Sequence, residues 1–459
     1  MKKKGYGFNG ISTIILLFIL CASIFFVSCP TTTDTWFKDY PTKEQINAIP
    51  IKPEYNIASM GGTYAVLYFG LSVLDGTIDT DNPTFYHLDR HDTLAHSVLS
   101  DMGINIVPGA RQISYYQDVE VAENLGRKLY ERDNSAHITY YGEDYRAELG
   151  ISFMYRQNIP AENFTIVLLS DGAFSRNASV SRYANAANPL AQLNSDRVTV
   201  RKIISRAKSG SRPGDIGNMV LAFMLEMPNA YWWYNGASSL PTDVPALADI
   251  IQPLLDSGRI VNKRTSDLFI AVQEAGKTEE AKAIFNMANI AGSNLNNGKK
   301  TLLVMGALTQ AEMDSASPTS MSIGGATLPE LCDAIIDNYQ SEYNIFYKGH
   351  PSTPTISGSE KQLYFADRNI RELSDASIPS EMLMYLIDDI FIGGYPGTTF
   401  QSSKDDQTLF FFSEPDKFFN FLTGGVNNPS YFLHGNTYFM YKEGTEIKRT
   451  PVQIERISK

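Results

Sequence analysis

Asp171 and Gly172 follow the apolar run Phe164–Leu169 (FTIVLL). An aspartate at the carboxyl end of a buried strand faces the crevice where α/β proteins bind ligands. There it can take a proton from a hydroxyl nucleophile, although Asp-Gly is also a common turn closed by a local hydrogen bond. A second apolar run ends in Lys348-Gly349-His350-Pro351. An ammonium and an imidazole separated by one glycine can gather positive charge around a phosphate, and Pro351 restricts the backbone that carries them. The third segment is IPSEMLMYLIDDIFIGGYPGTTF, with Glu381 in the first turn of a helix, then Gly393-Gly394 and the hydroxyl pair Thr398-Thr399. A glycine turn bearing hydroxyls makes a phosphate cradle from N–H and O–H donors.

Other reactive side chains read as structural. His87, His91 and His96 are spaced by four and five but lack a second ligand pair, so a metal site is not expected. His137 and His434 flank apolar strands, and Asp388-Asp389 reads as the solvated end of a strand. Of three cysteines, Cys21 and Cys29 lie near the start, and Cys332 falls on an apolar helical face. That number and spacing exclude a disulfide framework and a zinc cluster.

The elements that must carry these loops alternate between short apolar runs and helical ones, a pattern of α/β layers. Residues Tyr64–Phe69, His137–Tyr141 and Phe164–Leu169 read as strands, and Glu143–Gln157 as a helix between the last two. Asn177–Asn194 reads as loop. Helical stretches follow near Val198–Ser209, Ile216–Glu226, Val244–Ser257 and Lys263–Ile290. A second series opens with Lys299–Gly306 and continues as helix Leu328–Tyr339, strand Asn344–Lys348, helix Ser380–Leu386 and strand Asp389–Ile392. Aromatic-rich sequence from Thr408 to Met440 closes the chain. Two doubly wound lobes with a boundary near residues 240–295 account for this order.

Composition limits the function. With 459 residues, 43% hydrophobic and 19% charged, the chain can bury a large core, which excludes disorder. A net charge of -11 argues against nucleic acid as partner. Lys2, Lys3 and Lys4 precede the apolar run ISTIILLFILCASIFFV, as in an export signal. Phe26-Val27-Ser28-Cys29 resembles a relaxed lipobox, in which Cys29 would be acylated. The run could also nearly span a bilayer, as in an uncleaved anchor. Both readings export the rest of the chain. Residues 1–28 are therefore expected to be a signal peptide of lipoprotein type and residues 29–45 a tether. A lipid anchor would hold the protein at the membrane, on the periplasmic or cell-surface side.

In order and spacing, the three loops resemble the bacterial sialyltransferases of glycosyltransferase family 80. That family carries an acid-Asp-Gly motif, a Lys-Gly-His-Pro motif, an Ile-x-x-Glu-x-Leu-Met stretch and a Gly-Gly-x-x-Ser-Ser turn. The resemblance covers roughly residues 130–400 and includes the strand and turn Leu302–Thr309. It implies two facing Rossmann-like lobes in the GT-B arrangement, with a cleft between them. Residues 46–290 would form the acceptor-side lobe and residues 291–459 the nucleotide-sugar side. The implied activity is inverting transfer of sialic acid from CMP-sialic acid to a galactoside-type hydroxyl, with no metal cofactor. Asp171 would be the base, and His350 with Thr398 and Thr399 would stabilise the leaving phosphate. Lys348, Gly349, Pro351, Glu381 and Gly306 would hold the donor nucleotide. Tyr141, Glu143 and Gln310 would meet the acceptor glycan, with Tyr140 beside them. The chain departs from the pattern at Ser170, which replaces the first acid, and at Thr398-Thr399, which replaces Ser-Ser one residue later. Gln310 stands where the family has an aromatic. A two-lobed solute-binding lipoprotein, or an inactive sialyltransferase-like surface protein, would share the leader and the lobes.

Overall fold

A computed structural model describes residues 39–87, 93–107, 115–172, 175–306, 323–349, 366–373, 375, 377–404, 406–418 and 436–453. Two seven-stranded sheets organise them. The first comprises β1 (Glu54–Ser59), β2 (Thr84–His87), β3 (Asn105–Ile106), β4 (His137–Glu143), β5 (Phe164–Leu169), β6 (Ala230–Tyr234) and β7 (Ile260–Asn262), in the spatial order 3-2-1-4-5-6-7. All its pairings are parallel. The second comprises β8 (Lys300–Met305), β9 (Tyr343–Lys348), β10 (Arg371–Glu372), β11 (Ile390–Gly394), β12 (Thr408–Phe412), β13 (Tyr438–Glu443) and β14 (Glu446–Pro451). Its order, 10-9-8-11-12-13-14, repeats the first winding, and only β13–β14 is antiparallel. Strand order therefore reverses beside β1 in one sheet and beside β8 in the other. These are the switch points at which such sheets open a crevice at their carboxyl ends.

Strands such as β5 and β12 are apolar almost throughout because parallel sheets are covered on both faces. One face of the first sheet packs Ile57, Ile166 and Trp232 against Phe153 and Phe223. The outer face of the second packs Leu302, Ile345 and Phe410 against Leu331 and Ile335. The remaining two faces share one core. It joins Tyr141 and Leu169 of the first sheet to Leu303 and Phe411 of the second through the helices between them. Those helices are α1 (Thr63–Leu74), α3 (Thr265–Glu274), α4 (Thr278–Ile284) and α6 (Ser380–Leu386); α2 (Pro189–Lys208) lies outside this layer, and α5 (Leu328–Tyr339) covers the outer face of the second sheet.

Several expected elements differ; Lys263–Ile290, expected as one helical stretch, is divided into α3, α4 and a 3-10 stretch from Met287. The run Tyr64–Phe69, expected as a strand, lies within α1. A short wholly apolar run has no period that separates a buried strand from a buried helix. Here every residue from Tyr64 to Leu74 is buried, so α1 has no polar face to reveal its turn. Asn177–Asn194, expected as loop, contains helical turns at Ser175–Val180 and Ser181–Ala184 and the start of α2. The Asn188 carboxamide caps α2 by accepting from the Ala191 amide at 3.0 Å, with Pro189 at the first helical position. The segment after β4 is helical but broken into a 3-10 turn, one α-turn and a π-turn.

Phe269 of α3 is fully buried and stacks on Tyr385 of α6, with centroids 4.4 Å apart and planes at 5°. Phe269→Ala should destabilise the protein by about 3–5 kcal/mol, measured by denaturant unfolding. A loss below about 1 kcal/mol would mean that this stack does not hold the shared layer together.

Candidate active site between the two sheets

The carboxyl ends of β1, β4 and β5 meet at the first switch point. β1 runs into Met60-Gly61-Gly62 and then α1, whose opening N–H groups have no partner within the helix. Glu143 ends β4, and its Oε1 accepts hydrogen bonds from the Gly61 and Gly62 amides. Asp171, one residue past Ser170 at the end of β5, is half-buried against the same turn. A Cβ on Gly62 would lie 2.6 Å from Asp171 Oδ1 and 3.1 Å from Glu143 Oε1. Two carboxylates thus share the positive end of α1, and a side chain at residue 62 would displace both. Tyr145 adds a phenol that hydrogen-bonds Glu143; burial, then the charges of Glu143 and Asp171, push its ionisation well up.

Beneath Asp171 lies Asp144, fully buried. Burial pushes its carboxyl up to about 6, while its hydrogen-bond donors pull the other way. They are Ser175 Oγ at 2.5 Å, Trp232 Nε1 at 3.0 Å, the Asp171 amide at 3.3 Å and the Tyr145 amide. No motif marks Asp144, because all but one of these donors come from positions 27 to 88 residues away.

On the facing side, Lys348 ends β9 and Glu381 opens α6; both are almost completely buried. Burial lowers the Lys348 ammonium to about 8, against the opposing pull of Glu381 and Asp375. Burial raises the Glu381 carboxyl, while Lys348 and a hydrogen bond from Thr399 draw it down. Asp375 is held by Asn289 Nδ2 at 2.7 Å and Ser377 Oγ at 2.5 Å. The strand β11 ends in Gly393-Gly394, followed by Thr398 and Thr399 on a 3-10 turn. Gly394, at φ 122°, passes so close to β8 that a Cβ would meet the Met305 carbonyl. Gly306 packs directly on the Tyr347 ring.

The motif loops of the two sides meet directly. Gly172 has φ 63°, and a Cβ there would overlap the Thr398 methyl. Asp171-Gly172 and Thr398-Thr399 therefore face each other across the seam. A second bridge is formed by Tyr64 of α1, whose hydroxyl lies 2.5 Å from Thr265 Oγ1 and 3.0 Å from Ser402 Oγ, and accepts from Asn235 Nδ2 at 3.0 Å. Sequence reading missed Tyr64 and Ser402 because neither stands in a motif.

Some expected residues sit elsewhere. Tyr141 is buried in the shared core, edge-on to Trp233 and Phe69. Tyr140 packs on Phe153 and donates to the Ser59 carbonyl at 3.3 Å. Glu143 is in the site, its Oε1 engaged by the Gly61-Gly62 turn. His87 is buried, with Nδ1 3.3 Å from Ser59 Oγ, and His137 sits at the opposite end of β4 with Nε2 2.8 Å from Thr165 Oγ1. Among the described residues, no three His, Cys, Asp or Glu side chains are grouped as metal ligands. Cys332 is a buried free thiol, pushed up to about 12 by burial. Cys29, His91, Gln310, His350, Pro351 and His434 lie outside the described residues, as does the leader.

Solved structures that superpose on this chain include bacterial sialyltransferases. The 2,6-sialyltransferase of Photobacterium sp. JT-ISH-224, in a ternary complex with CMP and lactose, superposes with a TM-score of 0.57 at 12% identity, covering 79% of this chain and 72% of that one. The α/β-galactoside α-2,3-sialyltransferase of Photobacterium phosphoreum gives 0.54 at 13% identity over 80% and 92%. The chain has their fold. A sialyltransferase from Photobacterium damsela also gives 0.54 at 13% identity, over 79% of this chain and 74% of that one. No family model and no curated protein matches the chain. The GT-B arrangement is thus preserved where little sequence is.

The contact between Gly172 and Thr398 yields a direct test. Gly172→Ala should cost about 1–3 kcal/mol for a side chain in the left-handed region, plus the overlap with Thr398. Adding Thr398→Ser, which removes the methyl, should restore the overlap component and leave the backbone component. Strictly additive effects in this double-mutant cycle would show that the two loops do not touch in solution.

Proposed function

We propose that this protein transfers sialic acid from CMP-sialic acid to a sugar hydroxyl, inverting the anomeric centre without a metal. The observation that carries the proposal is the placement of Asp171-Gly172 against Thr398-Thr399, on a fold shared with sialyltransferases. The JT-ISH-224 enzyme was captured with CMP and lactose, which supports a cytidine nucleotide and a galactoside as the ligand classes here.

The roles follow from the chemistry. A sugar hydroxyl becomes an effective nucleophile when a base removes its proton in the transition state. Asp171, half-buried at the seam, is the group offered for that proton. The departing cytidine phosphate gains negative charge, which is best stabilised by donors already aimed at it. Thr398 and His350 take this task in the proposal. Thr399 is already committed to Glu381. Lys348 and Glu381, withdrawn from water, present a cation and an acceptor to the nucleotide.

Asp171→Asn keeps shape but cannot accept the proton, so kcat should fall by about 10²–10⁴-fold with CMP affinity near normal by calorimetry. His350→Ala should weaken CMP binding and also slow transfer by about 10²–10³-fold. Chelator should leave wild-type transfer intact. Full transfer by Asp171→Asn would remove Asp171 from the mechanism. No CMP binding and no CMP release from CMP-sialic acid by the wild type would end the transferase reading.

The reading of the leader as a lipoprotein signal places this activity outside the cytoplasm, tethered through Cys29. Cys29→Ala should abolish lipid attachment and leave precursor or released protein in fractionation. Unchanged membrane retention would favour an uncleaved anchor instead.

A further inference from the structure

We propose that Asp144 is the positioning residue for Asp171, supplying from the end of β4 the carboxylate that the sequence lacks at position 170. The inference rests on the transferase reading for its catalytic consequence and on hydrogen bonding for its geometry. Ser170 carries a hydroxyl where the related motif has an acid. That hydroxyl donates to Ser175 Oγ at 3.0 Å and accepts from the Gly172 amide at 3.2 Å. Ser175 Oγ also accepts from the Asp171 amide at 2.9 Å. Having accepted two hydrogen bonds, it donates its proton to Asp144 Oδ2 at 2.5 Å. A hydroxyl has one proton and two lone pairs, and every one is used.

The chain of bonds ends on an anion. Asp144 Oδ1 takes the Asp171 amide directly, and Oδ2 takes Ser175 and the Trp232 indole. The Asp171 N–H is thus shared between Asp144 and Ser175, which fixes the peptide plane from which the Asp171 side chain departs. Gly172, in the left-handed region, turns the chain away immediately afterwards. The Asp171 carboxylate lies against Gly62 on its other side, beside Glu143. Asp144 is fully buried below the loop and the carboxylate it orients is half-exposed above it. It therefore acts through Asp171 and not on substrate.

The test uses the full-length chain and three substitutions. Asp144→Ala should lower kcat by about 10²-fold, the scale of a misplaced reacting group, while CMP affinity stays within about twofold. Hydrogen exchange followed by mass spectrometry should accelerate about tenfold or more in residues 170–176, with β5 unchanged. Asp144→Asn keeps an acceptor for the Asp171 amide but turns an N–H group at the Ser175 hydroxyl and the Trp232 indole, so it should recover only part of the lost kcat. Ser175→Ala removes the bridging hydroxyl and should show the same split if Asp144→Ala does not fold. The proposal is overturned by a kcat within about threefold of wild type. It is equally overturned by a loss that extends to CMP affinity and to exchange in β5, which would mark general destabilisation. Exchange in 170–176 does not depend on turnover. A wild type without transferase activity would therefore defeat the functional reading, while the exchange result still decides whether Asp144 holds the loop.

Discussion

The apolar layer shared by the two sheets is the constraint on which the site depends. α1, α3, α4 and α6 lie between the sheets, and one continuous core runs from Tyr141 and Leu169 through Phe269 and Phe285 to Leu303 and Phe411. α1 has no solvent face, so its position is fixed from both sides. Gly70 brings it so close to α4 that a Cβ would lie 2.7 Å from the Phe285 ring. With α1 fixed, its opening turn fixes Gly61-Gly62, and that turn receives Glu143 and Asp171. The same layer sets the distance between the strand ends of the two lobes, which is why Gly172 can rest on Thr398.

Within this frame the charges are arranged asymmetrically. The first lobe gathers the carboxylates Glu143, Asp144 and Asp171 around one helix terminus and an indole. The second buries Lys348 between Glu381 and Asp375. Each buried charge is met by specific donors or counter-charges, because an unpaired one would cost far more than the site could offset. Those compensations immobilise the polar groups on both sides of the seam.

Local sequence exposed what local geometry determines. Asp171-Gly172 after Phe164–Leu169 was legible because a buried parallel strand is apolar throughout and ends abruptly at its turn. Helix α5 was legible because its apolar spacing is one-sided. α1 was not, since burial on every side erases the period that distinguishes helix from strand. The start of α2 was hidden by Asn, Ala and Ser, although Asn188-Pro189 is a starting signal for a helix. Tyr141 was legible as a strand-end aromatic but not as a core residue, because the helix covering it had itself been read as a strand. Asp144, Tyr64 and Ser402 were silent, as each acquires its partners only when distant segments meet.

The buried helix α1 also dictates an order of assembly. It is made within the first 74 residues, yet α3 and α4, which cover it, end at residue 284, and the second sheet behind them closes only with β14. Until then a strongly apolar helix lacks its cover, and contacts this distant in sequence form slowly. The early lobe is therefore prone to stick to other chains while it waits. The yield of folded protein should therefore depend on how long that wait lasts.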